Sequence, residues 1–427
     1  MAPTAPEAPV AHVRILPMEP STLSSSITVV PGGVTAPAGF RTAGVHCGIK
    51  ARAGALDLML LVADESASAA GAFTISLAAA APVLVSKAHL ASTGGRARAV
   101  VVNSGCANAC TGEAGHKVAE LMTAETARAL GCEAEEVLVA STGVIGVSLD
   151  PRTVTSGIIA AHDALSVDAH GDAARAIMTT DPFPKEHAIR VETAAGAYHV
   201  GGTCKGSGMI EPMLATMLGF VTTDAAVPPA LLQRALIDAC ETTFNAITVD
   251  GECSTNDTVF ALASGASGVR IDEAGYDAFV EALRVLCREL ALGIVRGGEG
   301  ATKLITVQVT GARTYEDARR AARAIANSLL VKTAIHGGDP NWGRLVAVAG
   351  RCGAAFTLAG ARVTIGDIVL FEHGRPFDER AAQAATYLQG KDIRVAVDLG
   401  TDGREDATMW TCDLSADYVK INAEYRT

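Results

Sequence analysis

The sequence predicts an α+β protein in which helices pack on layered sheets, and three observations lead to that class. The 427 residues are 49% hydrophobic and only 19% charged, which provides enough apolar side chain for a large core. Short aliphatic runs bounded by glycine or polar residues alternate with amphipathic runs of helical spacing. Several of the strand-like runs follow one another as hairpins, which favours a layered α+β fold over a regular βαβ array.

The first half of the chain is predicted to be rich in short strands. Residues 1–30 have the composition of a poorly ordered tail that leads into the first strand. Gly131 is a stop signal for the helix that precedes it, and Ala195-Gly196 is a turn signal for a hairpin. We predict strands at 27–30, 56–63, 97–102 and 137–140, helices over 116–130 and 153–165, and a hairpin over 188–202.

The second half is predicted to contain the longest helices. Pro228-Pro229 is expected to open a helix that runs through Asn245, because proline is tolerated in a first helical turn. Two further stretches have strong helical spacing, and the C-terminal part is dominated by strand signals. We predict helices over 273–295 and 317–331, and strands up to Val221 and at 304–309, 345–349, 363–371, 394–397 and 410–421.

Charge and cysteine usage exclude several classes of partner and compartment. A net charge of -11 argues against a nucleic-acid or anionic-membrane partner, because phosphate binding needs concentrated Lys and Arg. The 10 cysteines form no Cys-x-x-Cys pair and fit a reducing cytosol. Residues 1–26 lack the pattern of a secretory signal, and the apolar patch over 69–85 is too interrupted to span a membrane. We therefore expect a cytoplasmic protein.

A glycine-rich run resembles a phosphate-binding loop but fails on the order of its neighbours. The run from Gly297 to Lys303 follows a predicted helix and leads into a predicted strand. A phosphate-binding loop must instead follow a strand and open a helix. We therefore expect no nucleotide site there, and nothing in the sequence calls for a metal or organic cofactor.

The stretch over 205–218 carries the most specific chemical signal. Gly206 and Gly208 permit close approach of the backbone, Pro212 fixes one φ angle, and an apolar run that contains Thr216 follows. If the chain were cut before Thr216, the new α-amine, with a pKa of about 7.7–8.0, could act as base for the hydroxyl on the same residue. The competing interpretation is an ordinary strand or helix threonine whose hydroxyl bonds to the backbone.

Seven blocks in the sequence resemble, in order, those of the ornithine acetyltransferases, the glutamate N-acetyltransferases of arginine biosynthesis. The resemblance runs from about residue 30 to the C-terminus. It implies self-cleavage between Ala215 and Thr216 into segments 31–215 and 216–427. It also implies a helix/sheet/sheet/helix fold similar to N-terminal-nucleophile enzymes. Besides the central stretch, the blocks are Asn103-Ser104-Gly105 with Ala107-Asn108-Ala109-Cys110-Thr111-Gly112, Ser141-Thr142-Gly143-Val144-Ile145-Gly146, Met178-Thr179-Thr180-Asp181, Ser254-Thr255-Asn256-Asp257-Thr258, Gly298-Glu299-Gly300-Ala301-Thr302-Lys303 and Gly338-Asp339-Pro340-Asn341-Trp342-Gly343-Arg344.

The resemblance also implies roles for individual residues. Thr216 becomes the nucleophile, and Thr142 with Gly143 becomes the oxyanion hole, which needs donors aimed at the developing charge. By themselves Thr142 and Gly143 would fit an ordinary turn. The implied substrate-binding residues are Thr179 (with the adjacent Thr180 as a second candidate), Lys205, Thr216, Glu299, Asn422 and Thr427.

Charge chemistry agrees with two of these assignments. A compact lysine ammonium such as that of Lys205 suits a substrate carboxylate, and Glu299 suits a substrate ammonium. Each could also be an ordinary solvated charge, which is the commoner fate of both residue types. The Asn-x4-Thr ending formed by Asn422 and Thr427 implies that the C-terminal tail folds back over the site.

The implied reaction moves the acetyl group of N2-acetyl-L-ornithine to L-glutamate through an acetyl-threonine ester, without metal or cofactor. The implied assembly is an α2β2 pair of cleaved chains. Cys106, Glu211 and Gly219 depart from the usual family residues, so a related acyltransferase of secondary metabolism, with another acyl donor or acceptor, stays open. Use of acetyl-CoA also stays open. A self-processing amidohydrolase or aminopeptidase, and a non-catalytic binding protein, are the remaining functions compatible with the sequence.

Overall fold

The computed structural model describes residues 26–211 and 217–424, which form two sheets and the helices packed on them. The strands are β1 (Ser26–Val29), β2 (Phe40–Val45), β3 (Leu58–Phe73), β4 (Arg96–Cys106), β5 (Val137–Val144), β6 (Lys185–Thr193), β7 (Gly196–Lys205), β8 (Leu218–Thr223), β9 (Thr258–Ala263), β10 (Leu304–Ala312), β11 (Arg362–Ile365), β12 (Ile368–Glu372), β13 (Arg375–Pro376), β14 (Asp392–Asp398) and β15 (Glu405–Cys412). The α-helices are α1 (Ala81–Ser92), α2 (Gly112–Leu130), α3 (Pro151–Asp163), α4 (His170–Ala176), α5 (Pro229–Glu241), α6 (Tyr276–Arg296), α7 (Tyr315–Ala326), α8 (Leu329–Gly337), α9 (Trp342–Arg351), α10 (Ala381–Tyr387) and α11 (Ala416–Glu424).

The larger sheet is organised by the long strand β3. Its order is β1-β6-β7-β8-β9-β3-β4-β5, and β2 pairs with the first half of β3. The β3–β4 register shifts between Val62 and Ala67, after which the second half of β3 pairs with β9. Strand β3 pairs with β2 and β4 along its first half and with β9 along its second half, so it connects the two layers of the sheet.

Alternating side chains place helices on the outside of both layers. Met59 and Leu61 of β3 share an inner apolar cluster with Phe220 of β8 and Phe260 of β9. The residues next to them in sequence point the other way, because successive strand side chains alternate between faces. On those outer faces, α1, α2 and α3 cover one layer and α5 and α6 cover the other. The predicted helix/sheet/sheet/helix arrangement is therefore confirmed.

The second sheet forms a smaller layer in the C-terminal part, with the order β13-β12-β11-β14-β10-β15. Strand β10, next to the edge strand β15, runs parallel to β14 and antiparallel to β15. Helices α7, α8, α9 and α10 supply the side chains that cover one face of it. Trp342, at the start of α9, stacks on Phe371 with ring centroids 4.9 Å apart.

Most of the predicted elements are present, but the strand predicted at 345–349 is wrong. The segment lies inside α9, where Leu345, Val348 and Ala349 are buried. Their i, i+3, i+4 spacing defines one helical face. The side chain of Asn341 accepts a hydrogen bond from the backbone N–H of Arg344 and caps the first turn. The cap and the spacing together select a helix over a strand.

Four other predictions also differ from the structure. The strand predicted over 363–371 is two antiparallel strands, β11 and β12, joined by a turn at Gly366. The helix predicted over 317–331 is two helices, because α7 ends at Ala326 and Ser328 caps α8. The strand predicted over 410–421 ends at Cys412 and is followed by α11. The helix predicted to reach Asn245 ends at Glu241. The glycine-rich run before β10 does follow α6 and precede a strand, as expected. Of the predicted tail, only residues 26–30 lie within the described chain.

No helix in the described ranges is both long and apolar enough to cross a bilayer.

Candidate active site

A cleft opens beside the end of β7, in contact with both layers of the larger sheet. It brings together residues that are distant in sequence, from β5, the end of β7, the start of β8 and α11. Its lining is Ala107, Thr142, Gly143, Ile145, Thr179, Thr180, Lys205, Gly208, Met209, Ile210, Met217, Leu218, Asp250, Glu252, Ser254, Thr255, Asn256, Asp257, Glu299, Tyr418 and Asn422. Six of the predicted site residues are among these.

Thr142 and Gly143 lie in the last part of β5, where its parallel pairing with β4 becomes irregular. Gly143 has φ 130°, and a Cβ there would lie 2.3 Å from the carbonyl carbon of Gly105. Only glycine fits a position with both features. The close approach between the strands thus fixes the backbone that presents Thr142 and Gly143 to the cleft.

The side-chain amide of Asn256 also holds this strand end. Its Nδ2 donates to the carbonyl oxygens of Ala107, at 2.5 Å, and Ser141, at 2.9 Å. Ser141 in turn donates through its hydroxyl to Asn103 Oδ1, at 2.6 Å. All three polar side chains are buried, where a satisfied network is rigid. Asn256 belongs to the sequence block from Ser254 to Thr258, but the sequence does not predict its place in this network.

Lys205, which lines the cleft, belongs to a buried cluster of charges with Asp181 and Lys185. Lys185 donates from Nζ to Asp181 Oδ1 at 2.6 Å, and the backbone N–H of Gly206 donates to the same oxygen at 2.7 Å. Burial by itself raises the pKa of Asp181, but the positive charges of Lys205 and Lys185 outweigh it and lower that pKa to about 2. Burial lowers the pKa of Lys205. With both lysines protonated, the cluster has one net positive charge, which suits a substrate carboxylate.

Part of the cleft lining is acidic and involves the C-terminal helix. Asn422 of α11 donates from Nδ2 to Glu299 Oε2 at 2.8 Å, so α11 lies beside the cleft. Glu299 packs so closely on Gly208 that a Cβ there would lie 2.4 Å from Oε2. A buried carboxylate beside an amide donor provides an acceptor for a substrate ammonium.

Asp250, Asp257 and Tyr418 line the cleft, although the sequence does not predict them as site residues. The carboxylate of Asp250 accepts hydrogen bonds from the backbone N–H groups of Met209 and Ile210 and, at 3.2 Å, from the hydroxyl of Tyr418. Asp257 is buried and accepts from the backbone N–H of Ser254, and burial raises its pKa well above the ordinary value. A carboxyl of this kind can stay neutral inside a site. Asp257 lay in a recognised block, whereas only folding brings Asp250 and Tyr418 together.

The predicted nucleophile and cleavage site, Ala215 and Thr216, lie outside the described residues, as does Thr427. Met217, which follows Thr216 in the chain, lines the cleft, and its carbonyl oxygen accepts from the backbone N–H of Thr258 at 2.8 Å. Thr179 and Thr180 both line the cleft, so either can reach a ligand there.

The layered fold and a cleft lined by a buried lysine and buried carboxylates are those of an enzyme that acts on small molecules. A family model described as the ArgJ family matches residues 41–427. The chain belongs to the ArgJ family.

Individual relatives match over nearly the whole chain. The "Arginine biosynthesis bifunctional protein ArgJ" of Symbiobacterium thermophilum is 50% identical over 402 residues, which cover 93% of this chain and 99% of the relative. The protein of the same name from Chlorobaculum tepidum is 47% identical over 393 residues, 92% of this chain and 96% of the relative. A crystal structure of ornithine acetyltransferase complexed with ornithine, from Mycobacterium tuberculosis, is 41% identical with a TM-score of 0.41, and covers 44% of this chain and 100% of that chain.

Proposed function

We propose that this chain is a self-processing acetyltransferase of arginine biosynthesis that moves the acetyl group of N2-acetyl-L-ornithine to L-glutamate. The curated relatives, named as arginine biosynthesis bifunctional proteins and similar over nearly the full length, support the pathway and the enzyme class. The observation that carries the substrate assignment is the presence of a cation, Lys205, and a carboxylate, Glu299, in the lining of one cleft. Both substrates carry a carboxylate, and ornithine also carries a free ammonium.

The proposed chemistry begins with self-cleavage at Ala215–Thr216. The Thr216 hydroxyl attacks the Ala215 carbonyl, and the Ala215–Thr216 C–N bond breaks, so that the acyl group moves to the Thr216 oxygen as an ester and the Thr216 α-amine becomes free. Water then hydrolyses the ester and leaves a carboxylate on Ala215 and a free hydroxyl on Thr216. That amine can then accept the hydroxyl proton, because a neutral α-amine is a base with a pKa of about 7.7–8.0. The cleaved chain thus has nucleophile and base on one residue.

In the first half of the proposed cycle, the Thr216 oxygen attacks the acetyl carbonyl of N2-acetylornithine. Thr142 and the backbone N–H of Gly143 stabilise the oxyanion, a contribution of about 10²–10³ in rate for one donor in comparable sites. The C–N bond then breaks, and the proton held by the α-amine passes to the leaving ornithine nitrogen. An acetyl ester remains on Thr216.

In the second half, the amine of glutamate attacks the ester carbonyl. The oxyanion again lies against Thr142 and Gly143. The Thr216 α-amine takes a proton from the glutamate nitrogen and passes it to the Thr216 oxygen as that oxygen leaves. The products are N-acetylglutamate and free Thr216, so the cycle is ping-pong and uses the chain's own residues. Lys205 would hold the carboxylate of each substrate in turn.

The remaining substrate contacts are assigned by position in the cleft. Glu299, held by Asn422, would accept the ornithine ammonium. Thr179, or Thr180 beside it, would contact the substrate from the other side of Lys205. Thr427 completes the set by its place in the C-terminal ending. We also propose that two cleaved pairs assemble as α2β2 in the cytoplasm.

Product analysis tests this function. Purified protein incubated with N2-acetylornithine and glutamate is expected to release ornithine and N-acetylglutamate in equal amounts. If acetate forms at the same rate with and without glutamate, the chain is a hydrolase rather than a transferase. A denaturing gel of the same protein should give two fragments, and the Thr216→Ala variant should give one uncut chain.

A further inference from the structure

The last described residues before the proposed cleavage site are held by a loop from the second segment. The carboxylate of Asp250 accepts the backbone N–H of Met209 at 2.7 Å and that of Ile210 at 2.9 Å. The Ile210 carbonyl oxygen accepts from the backbone N–H of Val249 at 2.7 Å and from the hydroxyl of Thr248 at 3.0 Å. Met209 has φ 55°, which is uncommon for a residue with a side chain. These four hydrogen bonds hold that conformation.

The side chain of Glu211 extends the same contact. Asn327 donates from Nδ2 to Glu211 Oε2, and Arg323 Nε lies 3.5 Å from Oε1. The Glu211 side chain is only 12% exposed, so screening by solvent is limited. Thr248 donates to Asn327 Oδ1 at 2.8 Å and thereby links this pair to Ile210. The contacts form a closed ring.

All these partners of Glu211 belong to the segment that follows the proposed cut. Arg323 lies in the last turn of α7, and Asn327 follows that helix where it separates from α8. On the far side of the cut, Met217 is fixed to Thr258 at the start of the β8–β9 pairing. Both flanks of the short stretch 212–216 are thus attached to the same body. Fixing the ends of a short chain lowers the entropy lost on reaching a reactive geometry.

We propose that Glu211, through Asn327 and Arg323, is a positioning residue for self-cleavage that attaches the chain just before the Ala215–Thr216 bond to the second segment. It acts through the placement of the chain and makes no contact with the acetyl group. After cleavage, the same contacts hold the new C-terminal end of the first segment. This inference rests on the proposed self-cleavage.

The time course of cleavage in newly synthesised chain tests the proposal. Fragments are followed on a denaturing gel for the wild type, Glu211→Ala and Glu211→Gln. Loss of a hydrogen-bonded, largely buried carboxylate is expected to slow cleavage at least about tenfold in Glu211→Ala. Glu211→Gln, which keeps an acceptor for Asn327, is expected to restore part of the rate. Once cleaved, both variants should have kcat/KM for acetyl transfer within about twofold of the wild type.

A matched control lies one turn earlier on α7. Arg319 pairs there with Glu241, so Glu241→Gln also removes a carboxylate from an α7 arginine without touching 209–211. It should cleave at the wild-type rate. Arg323→Gln is a second probe of the contacts around Glu211, and thermal unfolding of each uncut chain shows which variants are folded.

The possible outcomes distinguish a failure of the proposed role of Glu211 from a failure of the proposed function. Wild-type cleavage rates in folded Glu211→Ala and Arg323→Gln would overturn the role of Glu211 and leave self-cleavage intact. Equal slowing by Glu241→Gln would also overturn it, because the effect would then be general to α7. A wild-type chain that stays uncut would instead overturn the proposed function itself.

Discussion

At the scale of single residues, the cleft depends on charged side chains that are buried and on a glycine that has no room for a side chain. Lys205, Asp181 and Lys185 form a buried charge cluster, where removal of one partner leaves another charge unpaired. Such a loss is costly in a protein interior. Gly143 is constrained by space rather than by charge, because a neighbouring strand occupies the place of a side chain.

Gly143→Ala should abolish most of the acetyl transfer. The new Cβ would collide with Gly105, and φ 130° is strained for alanine, so the strand end must move. We expect kcat to fall by about 10²-fold or more, as for loss of an oxyanion donor. Gly146→Ala is the matched control: it has φ 76° but open space around the Cβ, and its steady-state kcat should be close to wild type. Similar losses in both variants would contradict the steric account.

The stability of the protein should depend on Asp181 in acid. Its folded pKa of about 2 lies below the ordinary value of 3.8, so its stabilising effect is fully present above pH 3.8. That effect is lost as the pH falls from 3.8 through 2, and amounts to about 2 kcal/mol. The free energy of unfolding, measured by urea denaturation across about pH 2–6, should fall over this window in the wild type and fall less in Asp181→Asn. Parallel pH profiles for the two proteins would refute this attribution.

At the scale of elements, periodic patterns over long segments allowed correct prediction and short ones did not. The helices predicted over 116–130 and 273–295 correspond to α2 and α6, because several turns of amphipathic spacing leave little ambiguity. The short apolar run from Leu345 to Ala349 fits a strand equally well, and only the Asn341 cap and the packing of α9 decide for a helix. Likewise α11 was not predicted, although its residue Asn422 was.

The sequence predicts the cleft residues that lie in recognisable motifs. It does not predict those that only the fold brings together. Lys205, Glu299 and Thr142 lie in recognisable blocks, and the fold brings them to one cleft. Asp250 and Tyr418 lie in no recognised block and become neighbours only through the packing of α11. No single-sequence pattern reports a contact between residues so far apart in the chain.

Asn422→Ala should weaken the binding of N2-acetylornithine. The substitution removes the amide that donates to Glu299 in the acidic part of the cleft lining. A hydrogen bond to a charged group contributes about 1.5–3 kcal/mol, so KM should rise at least about tenfold with a smaller change in kcat. Val419→Ala, at a position 66% exposed on the same helix, is the control and should leave KM unchanged. An unchanged KM in Asn422→Ala would exclude this role for α11.

At the scale of the whole molecule, the two proposed segments share one core. β7 belongs to the first segment and β8 to the second, and they pair antiparallel from Val200↔Thr223 to Lys205↔Leu218. β3 and β9 form a second pairing between the segments. The segments therefore cannot separate without exposing the inner apolar cluster and the outer cluster under α5 and α6, which contain residues of both segments.

The cleaved fragments should remain together under native conditions. Size-exclusion chromatography of the cut protein should give one peak that contains both fragments, and only denaturant should separate them. Separate elution of the two fragments in native buffer would contradict a shared core.

The central claim is that Thr216 becomes an N-terminal nucleophile that carries the acetyl group. The most direct measurement is the intact mass of the protein quenched in acid during turnover of N2-acetylornithine without glutamate. The account predicts a fragment that begins at Thr216 and bears one acetyl group as an ester on that residue. Full turnover by an uncut chain, or a cut fragment that carries no acetyl group, would contradict it.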